Sequence, residues 1–249
     1  MDLAVEDSQQ PEVSVIVPTV NEAPSLASVL AALRTHAVAF ELIIVDAGSA
    51  DETTAMAEAA GAMVVASARR QRAFQLNLGA QQARGEILLF LHADTQLPPR
   101  ALDLIIGALR DPGVVGGAFA RRYASLSIVL RATCLLARFR NRMIGWHLGD
   151  QAMFVRRSVF FQLGGFRDVE RFEDLDLSRR MKSLGRVTTL EPGVISSARR
   201  FAQSGPARTT LRDFASTIHY LVRGLPDRNS GGPAQSPAIY GAAKSIGRL

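Results

Sequence analysis

Short apolar runs alternate with helical-period stretches through the first 95 residues of the chain, and this alternation limits the possible folds more than any other feature. Val13-Ser-Val-Ile-Val-Pro18 has the β-branched composition of a strand. From Pro24 to about Arg34, Leu26, Val29, Leu30 and Leu33 fall at helical spacing, with the proline at the helix start. Phe40 to Asp46 reads as a second buried strand, and in the turn after it Ser49 and Glu52 have the spacing of a capping box for the next helix. Ala62 to Ala66 and Glu86 to Leu91 supply a third and a fourth strand around a helical stretch from about Arg70 to Arg84. Strand-helix-strand order of this kind predicts an α/β fold with a mostly parallel sheet flanked by helices.

In such sheets ligands gather at the carboxyl ends of the strands. Pro18-Thr-Val-Asn-Glu22, Asp46 and His92-Ala-Asp94 all fall there, so three polar clusters are expected on one rim. The turn after the first strand contains neither the Gly-x-Gly-x-x-Gly of dinucleotide-binding folds nor a P-loop. Carboxylates and amides remain. Asp46 suits hydrogen bonds to a base and ribose, and Asp94 suits a divalent cation bridging a diphosphate. In an extended chain residues two apart face the same way, so His92 and Asp94 are expected to converge. Oxygen donors completed by water and phosphate are the habit of Mg²⁺, and Mn²⁺ accepts similar donors. The competing reading is that Asp94 merely caps the following helix.

The residues also carry a resemblance. Val15-Ile-Val-Pro18 with Asn21-Glu22, Ile44 to Asp51, Gln75-Leu-Asn-Leu-Gly79, Phe90-Leu-His-Ala-Asp-Thr95, Gly149-Asp-Gln151, Gly164-Gly-Phe166 and Phe172-Glu-Asp-Leu-Asp-Leu177 stand in the order and spacing of one family. From about Val13 to Phe201 the chain resembles the inverting family 2 glycosyltransferases of GT-A fold, in particular a group of small bacterial enzymes with "FLHADT" and "GDQ" segments. The resemblance implies a nucleotide-sugar donor, a metal at the Asp-x-Asp-like element, and a late Glu-Asp pair whose Asp is the base. Two departures stand out. The usual Asp-x-Asp is His92-Ala93-Asp94, which makes Asp94 the direct ligand and leaves His92 to bind metal, contact phosphate or support Asp94. A frequent second Asp after the second strand is Ala47, and this leaves Asp46 as the acidic nucleoside contact. UDP and GDP donors both remain open.

An inverting transfer requires a carboxylate that takes a proton from the acceptor hydroxyl. Asp174, with Glu173 beside it, is the candidate. A helix N-terminus stabilises its charged form, whereas Glu173 and Asp176 oppose that by like-charge repulsion. The alternative role is a plain helix cap. Further donor or acceptor contacts are expected from Pro18, Thr19, Asn21, Glu22, Gly48, Ser49, Arg72, Ala93, Asp150, Gln151 and Arg200. Asn77 joins this set, with tying loops together as its other reading. Arg199, Arg69 and Arg70 are read as solvated unless they fork onto phosphate. Trp146 and His147 either stack on a sugar or lie in the core.

The chain has 249 residues, 47% of them hydrophobic, enough for one core. Residues 13–224 are expected to form a single catalytic domain, with 13–95 as its nucleotide-binding half and 96–224 as its acceptor half. Residues 1–12 and 225–249 are expected to be flexible. A lone cysteine, Cys134, and an acidic start without an apolar leader core point to the cytoplasm, and the stretch Leu126 to Trp146 leaves the inner face of a membrane open as the place within it. The net charge of +6 comes from scattered arginines, and with few aromatics it argues against nucleic acid as a partner. Leu126 to Trp146 mixes apolar residues with Arg131, Arg138, Arg140 and Arg142. It is too charged to span a bilayer, and it suits either an interfacial helix near a lipid-linked acceptor or a helix covering the acceptor side. A final helix is expected around Ala207 to Arg223. Two other functions remain in play. A sugar nucleotidyltransferase would carry a Gly-rich, Arg-ended loop after the first strand, which is absent, and a non-catalytic nucleotide-sugar or membrane-surface binder is kept open by His92.

Overall fold

A computed structural model describes residues 10–123, 127–169, 171–197, 201 and 205–223. The expectations for the first nine residues, for Arg199 and Arg200, and for the tail 225–249 lie outside these. The expected alternation is present: β1 (Val13–Thr19), α1 (Ala23–Leu33), β2 (Phe40–Asp46), α2 (Thr53–Ala59), β3 (Met63–Ala66), α3 (Arg72–Gln82) and β4 (Ile87–Phe90) follow one another. Next come the two-residue β5 (Thr95–Gln96), α4 (Ala101–Leu109), β6 (Val114–Tyr123), α5 (Ile128–Ile144) and a single 3-10 turn at Gly149–Gln151. The last elements are β7 (Met153–Arg156), α6 (Arg157–Gln162), α7 (Glu173–Met181), β8 (Arg186–Ser196) and α8 (Pro206–Arg223).

The eight strands form one sheet in the order β3-β2-β1-β4-β7-β6-β8-β5. The first four are parallel, and β7 joins antiparallel to β4. β6 pairs antiparallel with β7 and parallel with β8, and β5 closes the edge antiparallel to β8. Strand alternation divides the core between the two faces. Val13, Val15 and Val17 face α1, α2 and α4 with Leu42, Ile44 and Leu89. Ile16, Ile43, Val45, Leu88 and Phe90 face α3, α6 and α7. Burial of both faces explains the near-continuous apolar runs of β1, β2 and β4.

Register then fixes the rim. Thr19 pairs with Asp46, and Ile16 pairs with Phe90, so β1, β2 and β4 end side by side. Helix α3 lies close over these ends because Gly79 has no side chain. A methyl there would sit 2.5 Å from Ile16 Cγ2 and 2.8 Å from Val45 Cγ2. Gln75 then reaches the strand ends, its Nε2 donating to Val45 O (2.8 Å) and Thr19 O (3.1 Å).

Candidate functional site

Two loops at the rim are laced together by the residues of the Pro18 to Glu22 and Asp46 to Asp51 segments. Asn21 adopts a positive φ of 54°, a conformation Asn tolerates better than most residues. Its N–H donates to Ser49 Oγ and its Oδ1 accepts from Ala50 N, both at 2.8 Å. Glu22 N donates to Thr53 Oγ1 at 2.9 Å. Pro18 is half-buried, and Thr19 lies inside.

Asp46 is 5% exposed, and both its oxygens are engaged. Oδ1 accepts from Thr19 Oγ1 (2.9 Å) and Ser49 Oγ (2.5 Å), and Oδ2 accepts from the N–H groups of Gly48 (3.0 Å) and Ser49 (2.8 Å). Burial pushes its pKa up, but these four donors outweigh burial and hold it below the usual value. A carboxylate has about four acceptor positions, so Asp46 shapes the loop, and a nucleoside contact of the expected kind would displace one of these partners. The expected capping box also differs. Ser49 serves Asp46 and Asn21, and Glu52, the N-cap residue of α2, makes no side-chain cap.

Strand β4 stops at Phe90, and His92 to Thr95 form a turn closed by Thr95 N donating to His92 O at 3.1 Å. The two-residue alternation therefore does not extend to Asp94, because the chain must bend here to enter β5. Ala93 is buried, and His92 and Asp94 are half-buried. Burial lowers the His92 pKa to about 3, and the charge of Arg72 adds to this while Asp150 opposes it. The imidazole is thus neutral at physiological pH, the state that can ligate a metal.

His92 meets the other half of the chain at the 3-10 turn. A methyl on Gly149 would lie 2.9 Å from Asp174 Oδ2 and 3.0 Å from His92 Nε2, so this glycine separates the two groups. Gly149 N donates to Asp174 Oδ2, and Leu175 N donates to Asp174 Oδ1 at 2.6 Å. Asp174 is half-buried in the first turn of α7. It is not the N-cap residue. Phe172 holds that position, at a positive φ of 68°, and a bulky residue there is a strained feature of the kind that collects at functional sites.

Arg72, at the start of α3, donates to Glu173 Oε1 at 3.1 Å. Burial and then the charge of Asp174 raise Glu173 to about 7, with Arg72 opposing. Burial also raises Asp174, against the Gly149 and Leu175 N–H groups and Arg72. Asp176, expected to repel Asp174, has cationic partners of its own. It is matched by Arg180 at 2.7 Å and Arg167 at 3.4 Å. Two residues before Arg72, Arg70 donates to Ala47 O (3.2 Å) and Gly48 O (3.1 Å), so the segment leading into α3 holds the Asp46 loop while Arg72 holds Glu173. Arg69 pairs with Asp168 at 3.1 Å.

Asp150 pairs with Arg121 at 2.7 Å on β6. Burial raises its pKa, and Arg121, helped by His92 and Arg140, more than reverses that. Gln151 is fully buried, its Nε2 donating to Phe119 O (2.9 Å) and its Oε1 accepting from Leu148 N (3.0 Å). It builds the turn. Asn77 spends both ends of its amide on Phe166, accepting from its N–H at 2.9 Å and donating to its carbonyl at 2.8 Å, and so ties α3 to the loop at Phe166. His147 lies in the core, 2.8 Å from Thr189 Oγ1, and Trp146 is half-buried under the Arg179 guanidinium. Arg121 was not singled out from the sequence, and Arg140, expected among interfacial arginines, has a different role. Arg121 lies in a strand not assigned from the sequence, and Arg140 turns inward from α5 to the carbonyl of Trp146 and to Gln151 Oε1. An Asp beside a glycine turn, calling for a cation, was the available signal for Arg121.

Among the described residues no three His, Cys, Asp or Glu side chains form a metal cage. An imidazole and a carboxylate at a strand end fit a more open arrangement, in which a ligand's phosphate oxygens complete the shell.

Known proteins share this arrangement of elements. The S. aureus TarS fragment 1–349 in complex with UDP-GlcNAc superposes with a TM-score of 0.64 at 18% identity, covering 76% of this chain and 59% of that one. A mannosyltransferase from Pyrobaculum calidifontis, in complex with GDP-Man and Mn²⁺, gives 0.63 at 24% identity, covering 79% and 58%. Undecaprenyl-phosphate 4-deoxy-4-formamido-L-arabinose transferases are similar in sequence. The Sodalis glossinidius protein is 30% identical over 157 residues and the Klebsiella pneumoniae protein 31% over 158, each match covering 58% of this chain. The matched region spans about half the length of these relatives (48%). The sequence pattern named Glycosyl transferase family 2 matches residues 14–163, which hold both rim loops, His92, Asp94 and Asp150. That match covers more than half of the chain, and the chain belongs to glycosyl transferase family 2.

Proposed function

We propose that the chain transfers a sugar from a UDP- or GDP-linked donor to an acceptor hydroxyl, with inversion at the anomeric carbon. The observation that carries this reading is the meeting of Asp174, Gly149 and His92 at the rim where β4 ends. Asp174 takes the acceptor proton as the acceptor oxygen bonds to the anomeric carbon. The bond from that carbon to the diphosphate breaks, and its electron pair leaves with the nucleotide. Burial supports Asp174 as a base, because a raised pKa brings its proton affinity closer to that of its task. Glu173 and Arg72 set the charge around it.

Asp94, with His92 beside it, would hold a divalent cation, Mn²⁺ or Mg²⁺, which when bound neutralises charge on the departing diphosphate. The loop built by Thr19, Asn21, Glu22, Asp46, Gly48 and Ser49 would seat the nucleoside, and Asp150 would face the sugar from its anchor on Arg121. The curated relatives are named as undecaprenyl-phosphate transferases, and a lipid-linked acceptor at the inner face of a membrane is adopted for this chain on that likeness.

A thermal-shift panel of nucleoside diphosphates with and without Mn²⁺, run on the wild type and on Asp94→Asn, tests the donor and cation assignments together. The reading predicts metal-dependent stabilisation by one nucleotide that is lost in the variant. Equal shifts in both proteins contradict the role of Asp94.

A further inference from the structure

The two long helices of the acceptor side turn their apolar residues outward. On α5, Ile128 (81% exposed), Leu135, Leu136 and Phe139 recur at helical spacing on the solvent side, whereas Leu130, Ala137 and the amide of Asn141 are buried. Helix α8 repeats the inversion: Leu211, Ile218 and Val222 (77%) are exposed, and Thr209 and Tyr220 point inward. The two helices pack against each other. A helix on a water-facing surface has the opposite pattern, and grouped exposed apolar residues of this kind mark an interaction surface.

Charge indicates what covers it. α5 carries four arginines and no acidic residue. Arg131 and Arg138 are exposed on α5, and Arg208 and Arg212 on α8. The acidic groups alongside face arginines, Glu191 at 3.0 Å from Arg138 and Asp213 at 3.8 Å from Arg171. Among the described residues no helix is long and apolar enough to cross a membrane.

We propose that α5 and α8 form a docking face for an anionic lipid bilayer, with the apolar side chains at the acyl boundary and the arginines among headgroup phosphates. The face is joined to the site through both helices. α5 runs through Gly145 into the Gly149 turn that touches Asp174. Tyr220 of α8 stacks on Phe172, the residue before Glu173, with ring centroids 5.1 Å apart. Docking therefore holds the mouth of the site at the lipid surface. Lipid binding itself does not depend on the transfer reaction.

Co-sedimentation of the full chain with phosphatidylcholine vesicles, with and without phosphatidylglycerol, tests this without donor or acceptor. The expected result is binding to the anionic vesicles that falls roughly tenfold or more in the double variant Leu135→Asn, Phe139→Asn. Added salt, or Arg131→Gln with Arg212→Gln, weakens it as well. Melting curves check the fold of each variant, and Leu211→Asn with Val222→Asn repeats the test on α8 if the first pair melts early. Four results overturn the proposal: no binding by the wild type, equal binding to both vesicle types, binding unchanged in both apolar pairs, or a wild-type dimer in ultracentrifugation that either pair dissociates. Nucleotide-dependent stabilisation measured on the same samples reports separately on the transfer reading.

Discussion

The backbone N–H of Gly149 donates to Asp174 Oδ2, and a methyl group on Gly149 would lie 2.9 Å from that oxygen and 3.0 Å from His92 Nε2. The glycine joins the rim end of β4 to the first turn of α7 by letting both side chains approach its backbone. Gly149→Ala should therefore displace Asp174 and His92 without touching the core. We expect kcat to fall about 10- to 100-fold, as small misplacements of reacting groups do, with the melting temperature close to wild type. Steady-state transfer kinetics beside a melting curve check this, and an unchanged kcat would remove the site from this turn.

Glu173 supplies a pH signature. Burial, reinforced by Asp174, raises it from 4.5 to about 7. A carboxyl group whose pKa is higher in the folded than in the unfolded chain stabilises the fold fully below the unfolded value. That contribution is lost as pH rises through the folded value. Glu173→Gln lacks this titration, so its stability relative to wild type should improve between about pH 4.5 and pH 8, by on the order of 2–3 kcal/mol. Denaturant unfolding at the two pH values measures it. Parallel pH dependence in both proteins would show that Glu173 titrates normally.

Asp46→Asn tests the loop assignment. The amide nitrogen cannot accept the N–H groups of Gly48 and Ser49 that Oδ2 now holds. A stability loss of about 1–3 kcal/mol and weaker nucleotide binding are expected from leaving those donors unmatched. Urea unfolding and nucleotide titration check the two effects, and affinity lost with full stability would instead make Asp46 a direct ligand contact.

The strands and helices that carry the rim were legible because both faces of β1, β2 and β4 are buried, which leaves a clear apolar run in the sequence. β6 and β8 were not. Gly116, Gly117, Arg121 and Arg122 interrupt the first, and much of β8 is only half-buried. Residue types at strand ends and helix starts pointed to His92, Asp150, Glu173 and Asp174, but their partners are set by the fold. Arg72 meets Glu173 across 101 positions, and Arg121 meets Asp150 from an unassigned strand. The bend at His92 to Thr95 was equally hidden, since nothing local indicates that the chain leaves the extended conformation there to enter β5. Asn77 had two readings, and its spacing on α3 did not reveal that Phe166 takes both ends of its amide.

Turnover by Asp174→Asn is the most direct measurement of the central claim that this carboxylate receives the acceptor proton. Asparagine can still accept the Gly149 N–H through its oxygen, so the turn and the nucleotide site should survive while the base is gone. The account predicts that kcat falls by about 10²- to 10⁴-fold with metal-dependent nucleotide stabilisation retained. Transfer at a rate close to wild type would contradict it.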